Sequence, residues 1–456
     1  MEEYRALLSP SLPMAILLGV TALTGFFVLS AMGRVRNSAG IFVIGASWLR
    51  YVMSAFHEIV YRPLAAGMSG NAVASIGIFF VGLMNINWRH LALKLLVPFY
   101  VVIFIALASA LANRSLDAGA ITVLTKYGYL LVMTLGVFGA MQRSRNGDFM
   151  AALLWAFAPA LIFQAASVVL RIGKATELTA GSVSYIGGYN HEAAFSVILI
   201  TCLTVTCFAE RVRPVVKNGL IIACVAGLVL ANYRTALVAV APLLLFYLGA
   251  TSLQRFPFRD RPFVISALIV MGGVALGLAS ILFAERFQDV GIAASGDVNF
   301  FKPPEAYSVE ESRLLSGRPR IWSMYIFGWL RGDLLQHIIG FGPESGSKAY
   351  VVYAHNTLIG ALYEYGLVGL AGLLFLWLSM LAAALRVQHR QRGVLVGAHM
   401  TFLLLNMSTM PMWMIEGNIL YGIICGYTLY LLSLQSRAQA RVSQPQQQPP
   451  APQLAG

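Results

Sequence analysis

The stretch ESRLLSGRPRIWSMYIFGWLRGDLLQHIIGFGPESGSKAYVVYAHNTLIGALYEYGLVGL, Glu311 to Leu370, brings charge, turn residues and an apolar run together. Arg313, Arg318 and Arg320 precede Ile321/Trp322, Tyr325 and Gly328/Trp329, which stand at helical spacing. The Gly/Pro turn GFGPESG follows, and His355-Asn356 then opens an apolar run that continues to Leu385. That run is long enough to cross a bilayer as a helix. The aromatic segment before it reads instead as an amphipathic helix at the membrane surface, with its tryptophans at headgroup depth. Its arginine-rich start suits a phosphate group, because guanidinium forks bind phosphate oxygens in pairs and a helix N-terminus offers free N–H groups.

Outward from this stretch the chain is membrane scaffold. Its 456 residues are 58% hydrophobic and 11% charged, with a mean hydropathy of +0.73. Soluble domains carry about a quarter charged residues. Apolar runs fall near Pro13–Met32, Ile41–Phe56, Asn71–Asn87, Leu91–Ala112, Ala120–Met141, Phe149–Leu170, Glu192–Ala209, Val215–Ala231, Thr235–Ala250, Phe263–Ala284, Asn356–Leu385, Val394–Met410 and Gly417–Leu434. The expected fold is all-α, a polytopic integral membrane protein with about 12–13 transmembrane helices. Along the chain this divides into an N-terminal transmembrane bundle over 1–284, a large loop with the amphipathic helix over 285–355, C-terminal transmembrane helices over 356–435 and a Gln/Pro-rich tail over 436–456, expected to be disordered. The start, MEEYRALLSPSLP, lacks the basic region and small-residue cleavage site of a removed signal peptide.

The net charge of +13 does not point to nucleic acid, since the basic residues lie in short clusters between apolar runs. They read as topology determinants. Arg34/Arg36, Arg89/Lys94, Arg143/Arg145, Arg211/Arg213/Lys217, Arg255/Arg259/Arg261, Arg386/Arg390/Arg392 and Arg437/Arg441 occupy alternate connections. Those connections are expected to face the cytoplasm. The others, which hold His191, Arg234, Arg318 and His355, then share the opposite side, so residues distant in sequence can build one site.

Arg234 sits in a connection of a few residues between apolar runs, where an unpaired charge is costly and a functional role is the default reading. His191 follows Gly187-Gly188, which permit close approach of another group, and Asn190, which can cap the next helix. Asn356 is a natural cap after His355. Against function stand ordinary alternatives: headgroup snorkelling for Arg318, a structural ion pair for Arg234, a capped helix start for His191. Cys202, Cys207, Cys224 and Cys425 read as small core residues. No phosphate-binding GxxxxGK[ST], HExxH or Cys/His cluster is present, so metal and cofactor are not expected. The acids Glu58, Glu364 and Glu416 are sparse for a proton-coupled carrier.

Five motifs carry a resemblance: GGYNHE (Gly187–Glu192), NYRTAL (Asn232–Leu237), SGRPRIW (Ser316–Trp322), IGFGPES (Ile339–Ser345) and AHNTLIGALYEYGLVGL (Ala354–Leu370). In this order they resemble the O-antigen ligase and polymerase superfamily of bacterial envelopes, and most of all its exopolysaccharide polymerases. The family usually has Lys-Asn where this chain has Glu192-Ala193, and Ser where it has Tyr233. The resemblance implies a lipid-carrier glycosyltransferase of the GT-C-like class in the bacterial inner membrane, multi-pass, with its active site facing the periplasm. It implies His355, Arg318 and Arg234 as catalytic residues and Arg313, Arg320, His191 and Asn356 as binding residues for diphosphate or glycan. The implied partners are an undecaprenyl-diphosphate-linked glycan, an acceptor glycan or lipid, membrane lipids and other polysaccharide-assembly proteins. The expected activity is metal-independent polymerisation of carrier-linked repeat units into a cell-surface polysaccharide, the alternatives being ligation of glycan to lipid A-core or protein, and transport or flipping of a lipid-linked sugar.

Overall fold

The structure, a computed structural model, describes residues 10–65, 68–144, 148–175, 183–253, 256–267, 270, 301–350 and 352–442. Its principal helices are α1 Met14–Val35, α2 Ser38–Ala55, α3 Gly70–Asn85, α4 Val97–Ala112, α5 Ala118–Arg143, α6 Asp148–Val169, α7 Glu192–Phe208, α8 Pro214–Leu230 and α9 Arg234–Thr251. After the long loop come α10 Arg318–Leu330, α11 Leu334–Ile339, α12 Thr357–Leu385, α13 Arg392–Ser408 and α14 Ile415–Val442. Among the described residues, seven helices are long and apolar enough to cross a membrane: α1, α4 with the turn before it, α5, α6, α9, α12 and α14. The apolar helices α3, α7 and α8 are shorter. Most of the expected span Phe263–Ala284, and the loop from 285 to 300, lie outside the described residues.

Helices α5 and α14 form the centre of the bundle, and most of their side chains are buried. Small residues let them approach: a Cβ on Gly426 would stand 2.5 Å from the Thr134 carbonyl oxygen, and one on Gly422 2.6 Å from the Met133 side chain. Such close approach is how helices gain packing energy in lipid, where the hydrophobic effect supplies no drive between them. The outer helices turn large apolar side chains outward, among them Phe26 and Leu29 on α1, Phe104 on α4 and Ile222 on α8. In water these would form an adhesive surface; a lipid surround accommodates them.

Helices from the two ends of the chain pack against each other, α5 on α14 and α9 on α13. The last helix also runs on to Val442, making residues 436–442 helix where a disordered tail was expected. All four cysteines are free and buried, as the sequence suggests.

Contacts sort the connections into two ends. At one end Arg211 pairs with Asp148 at 3.3 Å, Arg390 pairs with Glu210, and the Gln388 amide donates to Gln435 Oε1 at 3.0 Å. These are the basic connections. At the other, Lys126 meets Glu344 at 2.8 Å, Lys348 pairs with Asp117, the Tyr233 hydroxyl meets Thr409 at 2.9 Å, and Leu12 lies against Gly188. The alternation read from the basic residues is therefore built into the packing.

This second end is held by a buried ion pair between the second helix and the last. Arg50 Nε donates to Glu416 Oε1 at 2.9 Å, the Ser54 hydroxyl donates to the same oxygen at 2.7 Å, and the two side chains are 5% and 3% exposed. Asn71 and Ser75 accept from the other side of the guanidinium. Removing one partner strands a buried charge, so Glu416→Gln and Arg50→Met are each expected to cost about 3–5 kcal/mol. The double variant Arg50→Met/Glu416→Leu should recover most of that loss. Unfolding midpoints of the detergent-solubilised proteins read both effects, and additive losses in the double variant would refute the coupling.

Candidate functional site

The turn before α7 places His191. Gly187 and Gly188 have φ of +65° and +76°, and a Cβ on Gly187 would stand 2.8 Å from the backbone of Phe163-Gln164 in α6. Only glycine allows the chain to lie that close. Gln164 Nε2 donates to the Tyr185 carbonyl at 2.9 Å and to the Gly227 carbonyl at 2.8 Å, tying α6, the turn and α8 together. His191 itself caps α7, its Nδ1 accepting from the Ala193 amide at 3.0 Å; Asn190, the cap expected from sequence, does not take that role. The residue nearest the helix start wins because its ring nitrogen reaches the second amide of the helix. Burial pushes the His191 pKa down, with Glu192 opposing and Lys174 adding. Lys174 Nζ holds Glu192 Oε2 at 3.2 Å and donates to the Asn190 carbonyl at 3.2 Å.

His355 is held from both sides of its sequence. Asn356 Oδ1 accepts from the amides of Leu358 and Ile359 at 2.9 and 3.2 Å, as a cap should, and its Nδ2 donates to the Met407 carbonyl at 2.9 Å. Before it, the Tyr325 hydroxyl of α10 donates to the Val352 carbonyl at 3.1 Å. The His355 backbone has φ of +51°, a left-handed conformation uncommon outside glycine and worth noting at a candidate site. Its ring lies 4.3 Å, centroid to centroid, from that of Tyr353.

Arg318 opens α10 after a left-handed run at Leu315, Ser316 and Gly317, and its charge reaches His355. Among the described residues no carboxylate pairs with Arg318. Burial, then Arg318, then His191 push the His355 pKa down to about 4. At neutral pH the imidazole is uncharged and beside a cation, an arrangement that favours an anion in the space between. The Tyr353 hydroxyl pKa is raised by burial, then by Tyr233 and Glu192, which places the turn before α9 and the start of α7 beside it.

Three sequence-distant segments thus meet: 187–192, 316–318 and 353–356. Arg234 stands exposed at the start of α9, next to Tyr233. Arg320, two residues beyond Arg318, lies on the opposite face of α10, as a helix requires. It lines a separate recess of about 260 Å³ with Glu305, Met324, Arg331 and Tyr350. Arg313's side chain lies outside the described residues.

Sequence reasoning missed Lys174, Tyr353 and Tyr233 as companions of the histidines. It also missed His57, buried in the turn after α2, whose pKa is lowered by burial with Glu58 and the Gly188 backbone opposing and Lys174 adding. The proximity of Tyr353 to His355 in sequence was the only available signal.

Beneath the cluster α12 is broken. Gly366 has φ of +64°, and a Cβ there would stand 2.4 Å from the Ile338 carbonyl carbon; one on Gly340 would stand 2.3 Å from Glu364. The Phe341 and Gly342 amides donate to the carbonyls of Tyr363 and Glu364 at 3.0 Å each. The run read from sequence as one uninterrupted span is two half-helices joined at this point. No family model matches the chain, and no curated protein is similar to it.

Because burial outweighs Arg318 in lowering the His355 pKa, Arg318→Gln is expected to move the titration up from about 4 toward, but not to, the unperturbed 6.5. Histidine NMR with ¹⁵N labelling, assigned through His355→Gln, measures the midpoint. An unchanged midpoint would separate the two residues. Proton linkage has the matching sign: the depressed pKa gives stability above pH 6.5 that is lost as pH falls toward 4.

Proposed function

We propose that this chain is a metal-independent glycosyltransferase of the GT-C-like, 12–13-span class, which joins polyprenyl-diphosphate-linked repeat units into a cell-surface polysaccharide at the periplasmic face of the bacterial inner membrane. The observation that carries the reading is the convergence of Arg318, His191 and His355 from separate motifs at the end of the bundle opposite its basic connections. The diphosphate leaves as an anion and needs positive charge more than a proton. Arg318 supplies it, with Arg234 at the same end, and neither needs to give up a proton in doing so.

In the step itself the acceptor hydroxyl oxygen attacks the anomeric carbon, the bond from that carbon to the phosphate oxygen breaks, and the carrier diphosphate departs with the electron pair. The hydroxyl proton passes to His355, whose neutral ring can accept it. Direct displacement inverts the anomeric carbon. Without an anion beside it His355 is a weak base, since burial and Arg318 hold its pKa near 4. A bound diphosphate offsets the arginine's charge and raises that pKa, so donor binding strengthens the base.

Arg318→Ala is expected to lower single-turnover transfer about 100-fold or more, and Arg318→Lys to restore little because the two-pronged contact is lost. Near-normal transfer in the alanine variant would remove Arg318 from the site, and no transfer by the wild type would leave the transporter reading. Loss of the gene should leave single repeat units and no long chains; long chains stranded on the carrier would establish the ligase alternative.

Orientation has its own test. The native cysteines are buried, so an Ala349→Cys variant should react with an impermeant thiol reagent in intact spheroplasts and Gln388→Cys should not. The reverse pattern would place the site in the cytoplasm and end the lipid-carrier reading.

A further inference from the structure

Beside the break in α12 lies a second cavity, of about 260 Å³, lined by Lys126, Tyr325, Glu344, Tyr353, Glu364 and Trp413 among others. We infer that this cavity is a sugar-binding subsite, and, resting on the transferase reading above, that it holds the acceptor's terminal sugar with a hydroxyl presented to His355.

Its chemistry excludes the simpler occupants. Glu364 is 3% exposed, and among the described residues its Oε2 has no hydrogen-bond partner, although the Tyr365 hydroxyl and the Glu344 backbone flank the carboxyl group. It lies seven residues into α12, about 10 Å below the helix start. A buried carboxyl oxygen without a partner is costly, so the site favours a ligand that brings hydroxyl groups. Glu344, in a left-handed conformation at φ of +55°, pairs with Lys126, whose Nζ stands 5.9 Å from the Trp413 ring centroid. A lipid chain would set its apolar surface against Lys126, Glu344 and Glu364 and bond to none of them. An inorganic anion would face the acidic side chains of Glu344 and Glu364.

A sugar ring matches what remains. Its C–H faces can lie on Trp413, Tyr325 or Tyr353, while its hydroxyls bond to Glu364, Glu344 and Lys126; such mixed aromatic and polar linings orient small ligands. The volume suits one ring, being below the roughly 300 Å³ at which drug-sized sites begin. Tyr353 connects the two places, since it lines the cavity and its ring lies 4.3 Å from His355.

Saturation-transfer-difference NMR on the full chain in nanodiscs tests this without any transfer step. The probes are methyl glycosides of glucose, galactose, mannose, rhamnose and N-acetylglucosamine. The wild type should transfer saturation to the ring protons of at least one. Glu364→Gln and Trp413→Ala, with thermal melting as the check of fold, should each cut that signal about tenfold, and Gln388→Ala at the opposite end of the bundle should leave it unchanged. Should either variant melt abnormally, Ser347→Trp at an exposed position on the lining fills the cavity instead and should abolish the signal. Binding to none of the probes, or binding unchanged in the variants, overturns the subsite. Binding without transfer from a carrier-linked donor would overturn the transferase reading while keeping the subsite.

Discussion

A backbone amide or carbonyl inside an apolar surround must find a partner, and one break in α12, a helix long and apolar enough to span a membrane, meets that demand beside the candidate site. Where Gly366 bends α12, the Tyr363 and Glu364 carbonyls take bonds from the Phe341 and Gly342 amides. Irregular backbone at membrane depth is tolerated where protein covers it or a cavity lies beside it. Here both hold. Ser109 donates to the Ile339 and Glu364 carbonyls, and Asn113 to that of Gly340, so α4 closes the other side of the junction. The two glycines are reciprocal: a Cβ on either would collide with the backbone of the segment that holds the other. The loop from 341 to 355, with Glu344 and His355, is thereby anchored to the helix it covers.

Charge is distributed on the same logic. The site end carries Arg50–Glu416, Lys126–Glu344, Lys174–Glu192 and Lys348–Asp117, four pairs that each join separate parts of the chain. Their worth differs with burial. Arg50–Glu416 is shielded and hydrogen-bonded on several sides, so breaking it strands a charge, whereas the exposed Lys348–Asp117 pair contributes little. Arg318 stands outside this pairing, half-buried and next to a neutral histidine. A cation left without a carboxylate beside neutral rings costs stability, and an anionic ligand relieves that cost. Such an unbalanced position is where a protein's local rules give way to its function.

Much of this was legible in the sequence. Hydropathy gave the helical membrane scaffold, and the spacing of basic residues gave the two ends that the contacts now reproduce. The Asn356 cap and the aromatic helix from Ile321 were readable from local pattern because caps and helical spacing depend on near neighbours; that the helix begins three residues earlier, at Arg318, was not. What was not readable depends on distant ones. Arg50 looked like an ordinary residue of an apolar run until Glu416, far along the chain, came beside it. The break at Gly366 was hidden in a run of uniform hydropathy, since one glycine in a helix is tolerated and only the reciprocal Gly340 makes it a turning point. Arg318 and Arg320 stand two residues apart in one motif, and the turn of the helix sets Arg318 toward His355 and Arg320 into a recess with Glu305 and Tyr350.

The electrostatics also order events under the proposed chemistry. A base that is strong at rest would activate water as readily as an acceptor and so release glycan from its carrier. His355 is weak at rest because burial and Arg318 disfavour its protonated form. When a diphosphate occupies the space beside Arg318, the repulsion on an imidazolium becomes attraction and the same ring becomes a better proton acceptor. Burial persists in both states, so the gain comes from the donor's charge and vanishes when the carrier leaves. The arginine therefore acts twice, stabilising the leaving group and keeping the base weak until a leaving group is present; a lysine, with its single mobile ammonium, would do the second task more readily than the first.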